Sequence, residues 1–103
     1  MIDKTMILDA VLARAHRLPE GHYLDMRTYK RNRSVLIIKQ GEDEFLIIED
    51  GYALSRYSVR ADKLKKELRS ILRREFRRSH KIRLYTMGEF REEAAANIRR
   101  KKL

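Results

Sequence analysis

Hydrophobic residues recur along the chain at the spacing of two helices. The first run covers residues 3–17, and its apolar residues are Ile7, Leu8, Val11, Leu12 and Ala15. The segment LPEG at 18–21 ends this run, and Asp3 stands where an N-cap residue is needed. The second run covers residues 62–78, and its apolar stripe consists of Leu64, Leu68, Ile71, Leu72 and Phe76. The sequence therefore predicts two amphipathic helices.

Between the helices the pattern changes to that of strands. Residues 22–30 alternate between apolar and polar side chains, which is typical of a half-buried strand. Residues 34–39 (SVLIIK) and 44–49 (EFLIIE) are nearly continuous apolar runs separated by a short polar turn, as in a tight hairpin of central strands. Asp50-Gly51 is a strong turn signal, and residues 52–59 then predict a fourth strand. Together these segments predict an antiparallel meander.

The C-terminal part of the chain adds two further elements. Residues 81–87 (KIRLYTM) alternate and predict a fifth strand. Thr86 and Glu89 have the spacing of a capping box, so a short final helix is expected after them, with residues 99–103 as a frayed basic tail. The predicted class is α+β in the order α-β-β-β-β-α-β-α, with the first two helices packed on the sheet.

Composition limits the kinds of protein that the chain can be. Its 103 residues, 43% of them hydrophobic, predict a single domain over residues 1–103. The absence of cysteine excludes disulfides, thiolate metal ligands and a cysteine nucleophile. No stretch approaches the ~20 apolar residues of a membrane span, so a cytoplasmic protein is expected. Charged residues make up 39% of the chain, and this fraction is typical of thermophilic proteins.

The net charge of +10 is concentrated in one part of the sequence. Residues 1–62 hold ten basic and ten acidic side chains, whereas residues 63–83 hold ten basic side chains against Glu67 and Glu75 alone. Solubility does not require such a local excess. A surface of this kind attracts polyanions, and phosphate polymers are the first candidates.

The second predicted helix carries most of this charge on the side opposite its apolar stripe. Like charges at four-residue spacing on a helix repel each other, so an anionic partner is expected to stabilise this face. Most of these residues are arginines, which bind phosphate oxygens in pairs. The expected function is nucleic-acid binding, RNA ahead of DNA, without a cofactor or a metal. The predicted contacts are Lys66, Arg69, Arg73, Arg74, Arg77, Arg78, Lys81, Arg83, Arg31 and Arg33.

The order of the strands predicts where these cations meet. Turns of a meander alternate between its two ends, so the turn at 30–33 and the turn at 50–51 share one end, and the acidic turn at 42–44 lies at the other. A helix that leaves the fourth strand begins near the acidic turn and runs back. Its C-terminal end is therefore expected beside Arg31 and Arg33, giving one continuous basic surface.

Two structural explanations of the charge stay open. Cations in the last turn of a helix offset its dipole, and each contributes about 0.3–1 kcal/mol. Arginines of thermophile-like proteins also join surface ion-pair networks, for which the acidic side chains of residues 42–50 are available partners.

Other function classes are open as well. A small metal-independent ribonuclease could use His80 or Tyr85 beside phosphate-binding arginines. Tyr23, Tyr29, Tyr57 and Tyr85 could stack on single-stranded bases, although tyrosines of a sheet commonly bury the ring. The basic face could instead bind an acidic protein, and an exposed strand edge could pair two copies of the chain.

Overall fold

Six antiparallel strands and two helices make up the part of the chain that the computed structural model describes, residues 2–28, 33–50, 54–76 and 80–91. The elements are β1 (Ile2–Asp3), α1 (Lys4–Arg17), β2 (His22–Thr28), β3 (Ser34–Gly41), β4 (Glu44–Asp50), β5 (Leu54–Arg60), α2 (Ala61–Glu75) and β6 (Lys81–Glu89). The spatial order in the sheet is β1-β6-β2-β3-β4-β5. The predicted α+β class is confirmed, and β2 to β5 form the predicted meander.

Both helices lie on one face of the sheet, which we call the helix face. Its core contains Leu24 and Met26 of β2 together with Ile7 and Val11 of α1 and the leucines of α2. The alternation predicted for β2 is confirmed, because Leu24 and Met26 are buried against the helices while the residues between them point to the opposite face. On that opposite face, Ile38, Leu46 and Ile48 form a second, smaller cluster.

Helix α1 begins as its sequence predicts. Asp3 has an extended backbone, and its carboxylate accepts hydrogen bonds from the backbone N–H and the hydroxyl of Thr5 at 3.1 and 3.0 Å. Lys81 of β6 lies 3.3 Å from the same side chain. The Thr5 backbone bond is the main reason why the pKa of Asp3 lies below its ordinary value, and the Thr5 hydroxyl and Lys81 lower it further.

We expect the stabilising effect of Asp3 to depend on pH. Because the folded pKa is lower than the unfolded one, the contribution is present above the unfolded value of 3.8 and is lost as pH falls through the folded pKa. Asp3→Ala should therefore unfold at a lower temperature than the native chain at about pH 6, and the two melting curves should converge towards about pH 2. A difference that is the same at both pH values would contradict this role of the charge.

Two strands depart from the sequence-based expectation. The two-residue strand β1 was not predicted, and it exists only because Ile2 and Asp3 pair with Ile82 and Lys81. The capping box at Thr86 was wrong, since Thr86 to Glu89 continue β6 and pair with β2. One extra residue is accommodated there: Met87 and Gly88 together face Tyr23, which makes a β-bulge. The final helix was predicted over residues 89–100, but Glu89 ends β6 and Phe90 and Arg91 are not helical. The rest of that segment and the basic tail lie outside the described residues.

The two ends of the sheet are arranged as the meander predicts. At one end, the backbone N–H of Ala61 donates to Asp43 O at 2.8 Å, so α2 begins beside the acidic β3–β4 turn. At the other end, Arg33 Nη1 donates to Glu75 O at 3.0 Å, so α2 ends beside the first residue after the β2–β3 turn. We refer to these as the Asp43 end and the Arg33 end.

Helix α2 is shorter than predicted. It ends at Glu75, and Phe76 has left the helical conformation with φ −124° and ψ 23°. The ring of Phe76 is fully buried in the core, so it continues the apolar stripe although it lies past the helix end. The predicted contacts Arg77 and Arg78 lie outside the described residues.

Candidate functional site

Helix α2 carries six exposed cations, of which Lys63 lies in the first turn and Arg74 pairs with Glu49. The other four lie between these two in the sequence. Lys65, Lys66, Arg69 and Arg73 are all exposed, and we call them the basic face. None of them has a hydrogen bond or an ion pair to another residue of the described ranges. Lys65, Arg69 and Arg73 follow one another at four-residue spacing, so the face extends over about 12 Å of helix. Four charges of one sign on a short surface create a local potential that favours a polyanion.

The acidic residues of α2 do not neutralise this face. Asp62 lies in the first turn, where the helix dipole favours a negative charge, and faces Arg60 at 3.9 Å. Glu67 is half-buried on the side of α2 nearest Tyr57, and Glu75 is buried against the sheet. From Lys65 to Arg73 the exposed positions are therefore all basic.

Arg74 was predicted to be part of the outward face, but it lies at its margin and serves the fold. Its Nη2 and Nε lie 2.7 and 3.3 Å from Glu49 Oε1, and this hydrogen bond raises the pKa of Arg74. The Glu49 carboxylate is almost completely buried in β4, whereas Arg74 remains 40% exposed. A buried carboxylate needs such a partner. For Arg74, the ion-pair explanation of the basic residues in α2 is therefore sufficient.

Arg74→Met should lower the free energy of unfolding by about 2–3 kcal/mol, because it leaves the Glu49 carboxylate without its partner. The value lies below that of a fully buried pair because water can reach the place of the half-exposed guanidinium. Arg73→Met removes the same charge one residue earlier and should change stability by about 0.5 kcal/mol or less. Urea unfolding of the two variants measures this difference, and equal losses would contradict it.

At the Arg33 end, the predicted cations are partly occupied by structural contacts. Arg33 donates to the last carbonyl of α2, which stabilises the helix terminus. Lys81 is half-exposed and pairs with Asp3 at 3.3 Å. Arg33 therefore lies beside the end of α2 as predicted, while Arg31 lies outside the described residues.

Arg83 does not belong to the same surface as the basic face. In β6, Ile82 and Leu84 pack in the core under the helices, so Arg83 between them points to the opposite face of the sheet. There it is the cross-strand neighbour of Arg27. Arg83 and the outward side of α2 therefore lie on opposite sides of the sheet.

The residues proposed for a ribonuclease are also apart. His80 is exposed at the Arg33 end just before β6, and its carbonyl accepts from Lys4 N at 2.9 Å. Tyr85 lies opposite Asp25 in the middle of β6, about 16 Å along the strand from His80. A single phosphate does not reach both side chains, so only one of them could act in a ribonuclease site. Tyr85 nevertheless remains 38% exposed.

Two other tyrosines have structural roles. The Tyr57 side chain faces the helices beside Glu49 and Glu67, and burial, followed by these charges, raises the pKa of Tyr57 above its ordinary range. Tyr23 packs edge-on against Phe90, with ring centroids 5.4 Å apart. Tyr57 is therefore not a stacking platform, and Tyr29 lies outside the described residues.

The carboxylates that could serve acid–base or metal chemistry are dispersed. Asp25 is buried, and Arg27 Nε donates to both of its carboxylate oxygens, to Oδ2 at 2.9 Å and to Oδ1 at 3.0 Å. His22 lies on the other face of β2, so the two side chains do not meet. In the described ranges, no three His, Asp or Glu side chains are grouped so that they could hold a metal ion.

Lys65 is the one member of the basic face that the sequence interpretation missed. On a helical wheel it falls close to Leu72 and the margin of the apolar stripe. A long lysine side chain at such a margin reaches water, so its exposure could have been expected.

Comparison with known proteins adds no relative: family models, curated proteins and solved structures each gave no match. Neither helix in the described part of the chain has the length and apolar character needed to cross a membrane.

Proposed function

We propose that this protein binds nucleic acid through the basic face of α2. The observation that carries the proposal is the run of exposed cations from Lys65 to Arg73, which have no anionic partner in the described part of the chain. Ion pairs and helix-end contacts account for Arg33, Arg74 and Lys81. Arg73 lies in the last turn of α2, where it offsets the helix dipole. Neither explanation accounts for Lys65, Lys66 and Arg69. Phosphate groups of a polymer would remove their mutual repulsion.

The interface would bind the backbone of the nucleic acid and not read base edges. A recognition helix that enters the major groove reads bases with its N-terminal residues. The N-terminus of α2 carries Asp62 and lies against the acidic turn at Asp43, which would repel phosphates on both sides of the groove. Lysine and arginine side chains on the outer face instead suit phosphate contacts, which position the protein without specifying sequence.

RNA is the preferred ligand in this proposal. Double-stranded RNA is recognised mainly by shape and by contacts to phosphates and 2′-hydroxyls, and such recognition requires no helix inside a groove. A helix laid across the surface, with cations over about 12 Å, fits this mode better than groove insertion.

Binding assays with fluorescent duplex RNA, single-stranded RNA and duplex DNA of matched length test the proposal. We expect all three to bind with strong salt dependence and RNA to bind more tightly than DNA. Polyglutamate of equal charge should compete poorly, because it lacks the dense phosphate charge and condensed counterions whose release favours binding to a nucleic acid. Tight binding of polyglutamate with no binding of nucleic acid would overturn it in favour of an acidic protein partner.

A further inference from the structure

A pocket opens beside the C-terminal end of α1, on the helix face near the Asp43 end of the sheet. Its volume is about 260 Å³. One wall is formed by α1 and the turn after it, and the other by β2 and β6. The lining residues fall into a polar group, Arg14, Arg17 and His22, and an apolar group of Leu18, Pro19 and Met87, with Thr86 between them.

Local backbone features create this pocket. Gly21 adopts φ 83°, a conformation that suits glycine, and His22 N donates to Pro19 O at 3.1 Å. This turn brings His22 back under the last residues of α1. In β6 the bulge at Met87 and Gly88 interrupts the alternation, so that successive residues Thr86 and Met87 both line the cavity. Bulges often re-aim side chains in this way beside functional sites.

The chemistry of the lining selects the kind of ligand. Two arginines and a histidine are among the residues that line the cavity, and no carboxylate is among its described lining residues. Arg14 is held in place by a hydrogen bond from Nη1 to Leu84 O at 3.4 Å, which leaves its other donors available. The apolar group offers a surface for a flat ring. An anionic group attached to a small apolar body fits both parts.

We infer that this pocket binds a nucleoside monophosphate, with the phosphate at Arg14, Arg17 and His22 and the base against Leu18, Pro19 and Met87. The volume lies just under the lower end of the ~300–1,000 Å³ of ligand pockets, so it has room for at most one nucleotide and not for a longer segment. The nucleotide is either free or the phosphorylated end of a strand. The pocket is separate from the basic face, so this inference goes beyond the proposed function and does not require it.

Amide chemical shifts of the labelled native chain during titration with AMP, adenosine and inorganic phosphate test this inference. AMP should shift the amides of His22, Thr86 and Met87. Adenosine and inorganic phosphate, the two parts of AMP, should each bind more weakly than AMP. Arg17→Gln, an exposed change that should not disturb folding, should raise the Kd for AMP about tenfold. Lys65→Gln on the basic face should leave the AMP Kd unchanged.

A second arm separates the two sources of the nucleotide. If the pocket takes strand ends, RNA with a 5′-phosphate binds more tightly than the same RNA with a 5′-hydroxyl, and Arg17→Gln removes the difference. If it takes free nucleotides, the two strands bind equally while AMP still binds. Adenosine binding as tightly as AMP, or no shift at these amides up to about 10 mM AMP, would overturn the inference. A failure here with normal salt-dependent RNA binding would leave the proposed function intact.

Discussion

Phe76→Ala is expected to lower the free energy of unfolding by about 3–5 kcal/mol. The ring is fully buried in the main core, and its removal leaves a cavity between α2 and the sheet. It also removes the ring that anchors the end of α2, where the Phe76 N–H donates to Leu72 O at 3.1 Å and Arg33 Nη1 donates to Glu75 O at 3.0 Å. Because small domains are stable by about 5–15 kcal/mol, this loss is a large part of the total.

Urea unfolding followed by circular dichroism measures the effect of Phe76→Ala. Leu54→Ala is the matched control, because Leu54 is 76% exposed at the edge strand β5 and should cost about 0.5 kcal/mol or less. A loss below about 1 kcal/mol for Phe76→Ala would show that the helix end is not fixed by this ring.

The triple substitution Lys66→Gln, Arg69→Gln and Arg73→Gln should weaken RNA binding on the order of 100-fold at about 0.1 M salt. Each phosphate contact releases counterions, and at this salt concentration one contact contributes about a factor of five to eight. Stability should change little, because the three side chains are exposed and have no partners in the described ranges. Fluorescence anisotropy with labelled RNA gives the affinity, and circular dichroism verifies the fold.

A control variant with the same loss of charge distinguishes RNA binding at the basic face from long-range attraction between RNA and the whole protein. Arg56, Arg60 and Arg91 are exposed and lie outside the basic face, so changing all three to glutamine lowers the net charge equally. We expect this variant to lose less than about tenfold in affinity, through long-range attraction alone. Equal losses of RNA affinity in the two triple variants would show that RNA does not bind specifically to the basic face.

Local periodicity explains why most of the fold could be predicted. The apolar stripes of α1 and α2 and the alternation of β2 are properties of neighbouring residues, and so is the N-cap at Asp3. The placement of Arg33 beside the end of α2 followed from the alternation of turns along a meander. These features require no knowledge of contacts between distant segments.

The features that were missed depend on distant contacts. Strand β1 is too short for any period and forms only through its pairing with β6. The helical wheel assigned Arg74 to the outward face, because a wheel gives no information about Glu49, which lies in β4 and accepts from Arg74. The position of Arg83 could have been found, because Ile82 and Leu84 belong under the helices and the residue between them must point away.

The slope of log K against log salt concentration for RNA binding tests the central claim most directly. Four phosphate contacts to the basic face predict a slope of about −3 to −4 for the native chain. The variant with Lys66, Arg69 and Arg73 changed to glutamine should have a slope shallower by about 2 to 3, and the variant at Arg56, Arg60 and Arg91 should keep that of the native chain. The same slope in the native chain and the first variant would contradict binding through α2.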